Sequence, residues 1–116
     1  MLASRYRLKK RSSFAQVELQ GSTTQFQSFG LGIYKRNDAD PSLFGFVIST
    51  KISKKAVTRN KIKRILSDAV RINYEKIKPG FNVVFLVKPS ASKKNADVLL
   101  KEVVNALQTT DLLVWN

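Results

Sequence analysis

The chain contains no cysteine and no histidine in 116 residues. The first absence excludes a disulfide framework, a thiolate metal site and a thiol nucleophile. The second removes the commonest general base near neutral pH together with the commonest metal ligand. Acids are scarce: Glu18, Asp38, Asp40, Asp68, Glu75, Asp97, Glu102 and Asp111 make up the whole set, and only Asp38 and Asp40 stand close together. That pair falls in a turn, where carboxylates serve backbone N–H groups rather than chemistry. Nothing suggests the converging acids that a two-metal nuclease requires. There is no G-x-x-x-x-G-K-[ST] loop and no G-x-G-x-x-G, and Gly30-Leu31-Gly32 is too short to count and lies within a strand pattern. No run of about 18 apolar residues is present to span a bilayer, and the basic N-terminus lacks the apolar stretch of a signal peptide. The expectation is a cytoplasmic protein with no membrane partner and no catalytic side-chain set of its own.

What the chain does have is positive charge. Lys and Arg number 21 against 8 acids, for a formal net charge of +13 and a sequence pI of 10.4, the footprint of a partner of nucleic acid or another anionic surface. Twelve of the 21 bases fall in two acid-free segments. The first, within Met1 to Val17, holds Arg5, Arg7, Lys9, Lys10 and Arg11; the second, Lys51 to Arg64, holds Lys51, Lys54, Lys55, Arg59, Lys61, Lys63 and Arg64. If the chain is helical from Thr58 onward, Asn60, Lys63, Arg64, Ser67 and Arg71 share about 100° of arc, while Ile62, Ile65, Leu66, Ala69, Ile72 and Asn73 form an apolar stripe opposite. Such a ridge either lies on phosphates or is an ordinary solvated face. Faces of the ordinary kind usually mix signs at i,i+4, and this one carries no acid before Asp68.

With 43% hydrophobic residues, the chain suits a single domain over residues 1–116. Residues 1–11 are expected as an extended basic arm tied down by Leu2, Tyr6 and Leu8. A short helix capped by Ser12 or Ser13, with Gln16 at capping-box spacing from Ser13, should end at Gly21. Phe14 is either its inward anchor or an aromatic presented to a ligand, and the residues alone favour the core. Phe29, Leu31 and Ile33 alternate with Ser28, Gly30 and Gly32 as a strand with one apolar face and one of small residues. The two glycines call either for a bulge or close helix or for a floor left open to a ligand. After a turn at Lys35 to Pro41, Leu43 to Thr50 is expected to return as the antiparallel partner of that strand. A helix from Thr58 to Ile77 should be stopped by Lys78-Pro79-Gly80. Asn82 to Lys88, apolar on both faces, reads as a central strand. A loop at Pro89 to Lys94 leads to a last helix carrying Ala96, Leu99, Leu100, Val103, Val104 and Leu107. The tail with Leu112, Leu113, Val114 and Trp115 is either a short strand or a docked extension. The order α-β-β-α-β-α describes an α+β class, single-domain α-β sandwich.

At Arg59 to Arg64, R-N-K-I-K-R, the sequence resembles the bacterial ribonuclease P protein subunit. Ala56, Val57, Arg59, Asn60, Ile62, Lys63 and Arg64 match A-V-x-R-N-x-[IV]-K-R. Tyr6-Arg7-Leu8-Lys9-Lys10 followed by Phe14, Gly45-Phe46-Val47-Ile48-Ser49 with Lys51, and Gly80-Phe81-Asn82-Val83-Val84 are similar to flanking segments of that family in the same order. The resemblance implies a left-handed β-α-β crossover through the helix. It also implies a protein cofactor of a catalytic RNA that matures tRNA 5′ ends, with precursor tRNA as the second partner and no protein partner. Arg59, Asn60, Lys61, Lys63 and Arg64, with Lys51, Lys54, Lys55, Arg7, Lys9, Lys10 and Arg11, would meet RNA. Phe14 would line a cleft for the single-stranded leader, with Tyr34 as a candidate second aromatic because it alternates onto the face of Gly30 and Gly32. No cofactor is expected on the protein, and Mg2+ would belong to the RNA. The chain departs from the family pattern in carrying Glu18 in place of a second aromatic, Thr50 in place of a lysine, and Ser67-Asp68 where a further base is common. The alternative is a ribosomal or other structural RNA-binding protein without a role in cleavage.

Overall fold

The alternation at Phe29, Leu31 and Ile33 and the apolar run after Asn82 both form strands, and they pair with each other. In the computed structural model, which describes residues 2–114, a four-stranded sheet has the spatial order β1-β2-β4-β3. Its strands are β1 (Ser22–Gln25), β2 (Phe29–Lys35), β3 (Leu43–Val47) and β4 (Phe81–Val87), and its helices are α1 (Arg11–Gln20), α2 (Ala56–Asn73) and α3 (Ala96–Thr109). β2 pairs antiparallel with β1 and β4, and β3 pairs parallel with β4, so β3-α2-β4 is a β-α-β unit.

The expected hairpin between β2 and the strand at Leu43 does not form. Val83, Val84 and Phe85 are all buried, and apolar groups on both faces of β4 are covered only if that strand lies inside the sheet. β4 therefore inserts between β2 and β3, and the turn after Lys35 becomes a bridge across its start. There Arg36 N–H donates to Gly80 O, Gly80 N–H donates to Asp40 O, and Gly80 sits at φ +90°. A Cβ on Gly80 would come within 2.7 Å of Asp38 O, so glycine is required by both conformation and space. Two further expectations change here. β3 stops at Val47, short of Thr50, and β1 adds an edge strand of polar residues that carry no periodic signal.

One sheet face packs on α2 and α3. Phe29, Leu31, Phe44, Val83 and Phe85 join Ile62, Leu66, Val70, Leu99, Val103 and Leu107 in the main core, with Phe29 tilted on Phe85 at 5.0 Å between ring centres. α3 starts on a side-chain cap, Asn95 Oδ1 accepting from Val98 N–H.

Three details of the sequence reading are corrected in the helices. α1 begins at Arg11 after an uncapped Lys10, and Gln16 reaches Gln20 instead of closing a box with Ser13. α2 runs from Ala56 to Asn73, not from Thr58 to Ile77: Lys55 takes the extended N-cap conformation, and a 3-10 turn at Tyr74–Lys76 precedes an extended Ile77 that bridges to Leu113. Around α2, Ser67 is fully buried while Ile72 is 62% exposed. Leu2, Ala3 and Tyr6 border a depression shared with Arg71 and Tyr74, so the N-terminal segment lies beside the last turn of the helix.

Residues 2–11 are accordingly no free arm. Leu2 and Leu8 are buried, Tyr6 stacks on Tyr74 at 4.2 Å, Leu8 N–H donates to Phe44 O, and Arg7 bridges to Phe44 along the outer edge of β3. That cover also protects an edge strand that would otherwise present unpaired backbone groups. Leu112 and Leu113 dock into the core as the tail expectation allowed, and Trp115 lies outside the described residues.

Candidate nucleic-acid interface

The second sheet face is built for close approach. Register places Thr23, Gly32, Val84 and Gly45 in one cross-strand row, with Gly30, Leu86 and Val47 in the next. α1 lies across the first row because glycine lets it descend onto the sheet. An added Cβ on Gly32 would meet Val17 Cγ1 at 3.0 Å, and one on Gly45 would meet Phe14 Cε1 and Cζ at 2.5 Å. Gly32 and Gly45 are thus explained by a packed helix along the first row, whereas in the second row Gly30 is buried under the Gln25 side chain and Leu86 and Val47 leave an open floor. Leu86 and Val47, each 41% exposed, belong to that floor.

Beside α1 the floor opens as a cleft of about 230 Å³. Phe14, Val17 and Glu18 form its helical wall, Gly32, Val84 and Leu86 its floor, and Thr23 and Val47 its rim. Phe14 is half-buried against Leu8, Val17 and Val84 and also faces the cleft, so it serves both as an anchor and as an accessible ring. Tyr34 does lie on the same sheet face, but it lines a separate depression with Gln20, Gly21 and Phe81. The end of α1 stands between the two rings, with Gly21 pressed on Ile33 O. The two rings pack against the same cluster of Leu8, Val17 and Val84 but line different depressions.

The second basic segment follows β3 directly. Lys51, Lys54 and Lys55 are exposed on the loop, Asn60, Lys61 and Arg64 are exposed on the first turns of α2, and Lys63 is half-buried. Arg59 is half-buried too, with Nη1 donating to Ser53 O at 2.7 Å, and so pins the loop to the helix. Ser67, counted in the ridge from its spacing, is withdrawn from it by burial, and Arg71 pairs with Asp68 at 3.6 Å. The usable positive face is the first half of the helix.

The first segment lies elsewhere. Arg7 donates from Nε to Leu2 O and is half-buried, Lys9 bonds to Ser4 Oγ, and Lys10 and Arg11 are exposed. Lys9 and Lys10 border another depression with Arg5, Ser13, Gln16 and Leu43, on the side of α1 opposite the cleft. The two segments thus sit toward opposite ends of β3.

Sequence reasoning missed two supports. Arg36 donates to Asn82 Oδ1, Pro41 O, Asp40 O and the Asp38 carboxylate, locking the loop that bridges β4. Its hydrogen bond holds the Asp38 carboxyl below the usual carboxylate range. A lone arginine beside two turn acids was the available signal. Tyr74 donates to Ser42 O at 2.7 Å, and burial, with Tyr6 beside it, pushes its phenol up to about 12. No local pattern marks that role. Among the described residues, no group of three acids gathers where a metal ion would be held.

Known proteins share this fold. The family model described as Ribonuclease P matches residues 2–111. The chain belongs to the Ribonuclease P protein family. It is 36% identical over 109 residues to the ribonuclease P protein component of Clostridioides difficile, covering 92% of this chain and 93% of that one. It is 34% identical to the corresponding protein of a Pseudanabaena species, covering both chains fully. Among solved structures, the ribonuclease P protein of Thermotoga maritima superposes with a TM-score of 0.79 at 27% identity, over 89% of this chain and 96% of that one. The Staphylococcus aureus protein has the same fold, at a TM-score of 0.87 and 20% identity, over 93% and 97% of the two chains.

Proposed function

We propose that the chain works as the noncatalytic protein subunit of a ribonuclease P ribonucleoprotein and holds RNA on two surfaces. Membership of the family makes it a protein component of ribonuclease P with a role in tRNA processing. The observation that carries the finer reading is the pairing of an open, glycine-floored cleft walled by Phe14 with an acid-free basic helix start on the strand that forms its rim. In this reading Lys51, Lys54, Lys55, Asn60, Lys61, Lys63 and Arg64 lie on the catalytic RNA, while Arg59 shapes their loop. Phosphate contacts of this kind release counterions and are sequence-independent. The 5′ leader of precursor tRNA enters the cleft, where Phe14 stacks on a base. Aromatic stacking tolerates any base and suits a subunit that serves many precursors.

The protein moves no proton in this scheme. Its contribution is to hold the leader and to screen phosphate charge near the RNA active site. The scattered acids do not fit a protein-held metal, so we assign Mg2+ to the RNA. The test is cleavage of precursor tRNA by a ribonuclease P RNA with and without the protein at low Mg2+. Stimulation is expected. Tight RNA binding without stimulation would instead identify a structural RNA-binding protein, and cleavage by the protein without RNA would overturn the noncatalytic assignment.

A further inference from the structure

The cleft wall carries an acid in a chain of net charge +13. Glu18 stands one helical turn after Phe14 on the cleft side of α1, beside an apolar floor of Val84 and Leu86. Among the described residues, its carboxylate has no hydrogen-bonding or ion-pairing partner, and none of the residues that line the cleft is basic. A phosphate is repelled by this arrangement. A base seated on Phe14 is not, because its edge can donate to the carboxylate.

We propose that Glu18 makes the leader cleft selective for bases that present an amino group, and against uracil; the inference rests on the leader-cleft reading above. An ionised carboxylate only accepts hydrogen bonds. Cytosine N4, adenine N6 and guanine N1 with N2 offer donors on the edge that single-stranded RNA exposes to protein. Uracil offers one N–H flanked by two carbonyl oxygens, which face the carboxylate with like partial charge. The other polar group in the lining, the Thr23 hydroxyl, both donates and accepts, so it does not discriminate. Phe14 then supplies affinity for any base, and Glu18 supplies the choice among them.

The experiment is a one-pot competition between two precursor tRNAs that differ only in an all-cytosine or all-uracil leader. They are cleaved at low Mg2+ by the ribonucleoprotein reconstituted with a ribonuclease P RNA. The readout is the ratio of kcat/KM values relative to RNA alone. A charge-assisted hydrogen bond in an open cleft predicts roughly a five- to tenfold shift of that ratio toward cytosine with the wild-type protein. Glu18→Gln offers both a donor and an acceptor, so it should return the ratio to within about twofold of the RNA-alone value. Glu18 is exposed, and this isosteric change leaves the fold intact. Equal stimulation of both leaders by the wild type, or the same cytosine preference in wild type and Glu18→Gln, overturns the selectivity alone. Failure of the wild type to stimulate either leader overturns the leader-cleft reading beneath it.

Discussion

Replacing Gly45 by Ala tests whether Phe14 is held as described, because the two residues occupy one space. A Cβ at position 45 would lie 2.5 Å from two ring atoms of Phe14 and 3.4 Å from Leu8 Cβ. Ordinary contact begins near 3.4 Å, so the ring must retreat by about 0.9 Å or more. The strand cannot yield instead, since Gly45 is paired with Val84 and Phe44 O accepts the Leu8 N–H. Overpacking of this kind costs about 1 to 3 kcal/mol, offset by about 0.5 to 1 kcal/mol because alanine suits a strand better than glycine. Gly45→Ala should therefore destabilise by up to about 2.5 kcal/mol and weaken leader binding as the stacking ring is displaced. With Phe14→Ala in the background the clash disappears, and the same change should become neutral or stabilising. Urea unfolding of the wild type, both single variants and the double variant closes the cycle, with an expected coupling of about 1 to 3 kcal/mol. Additivity within about 0.5 kcal/mol would refute the contact, and with it the claim that glycine is there for the ring. Leader affinity of Phe14→Ala, measured on the ribonucleoprotein, should fall by about 1 to 3 kcal/mol. A loss of stability with unchanged leader affinity would make Phe14 an anchor only.

Ser28 gives both its N–H and its hydroxyl to the Glu102 carboxylate, at 2.7 and 2.6 Å, and Ser28 is fully buried; Glu102→Ala should cost about 1 to 3 kcal/mol in chemical unfolding, and a cost below about 0.5 would mean water replaces the acid. Tyr74 keeps its proton up to about 12 when folded and releases it near 10 when unfolded, so its contribution is complete below pH 10 and falls as pH rises toward 12. The stability advantage of wild type over Tyr74→Phe should shrink across that window, and a constant difference would contradict a phenol held in its protonated form by its half-buried position. Replacing Lys63 or Arg64 singly by Ala should reduce the slope of log affinity for the RNA against log salt by about one unit or slightly less, and an unchanged slope would mean that side chain is merely solvated.

What the sequence made legible follows from what is local. α3 was readable because one apolar stripe settles it, and β4 was readable as central because both of its faces are apolar. Strand order was not readable, since pairing β2 with β3 or with β4 leaves the same alternation in β2. Only the need to bury β4 on both sides decides between them, and that is a property of the whole sheet. Ser67 was misplaced for a similar reason: its burial is set by packing from outside the helix, which spacing along α2 does not report. In the cleft, Gly32 was a sound signal, and the ring on Gly45 was hidden because β3 and α1 are distant in sequence. The separation of Tyr34 from Phe14 could not be read from alternation, which assigns a face and says nothing of what crosses it.

That crossing helix makes β3 the element on which both proposed RNA surfaces depend. Val47, at the end of β3, forms part of the cleft rim, and nine residues later α2 begins with the basic ridge. The outer edge of the same strand is held by Leu8 and Arg7, which set where α1 starts and hence where Phe14 and Glu18 stand. Shifting β3 along β4 by one residue would turn Gly45 to the core and leave Phe14 without its seat. The parallel register Gly45 to Val84 therefore sets the cleft and, through a loop that Arg59 ties down at Ser53, the position of the ridge as well. A rigid spacing between a stacking site and a phosphate grip lets one protein measure a leader against a folded RNA.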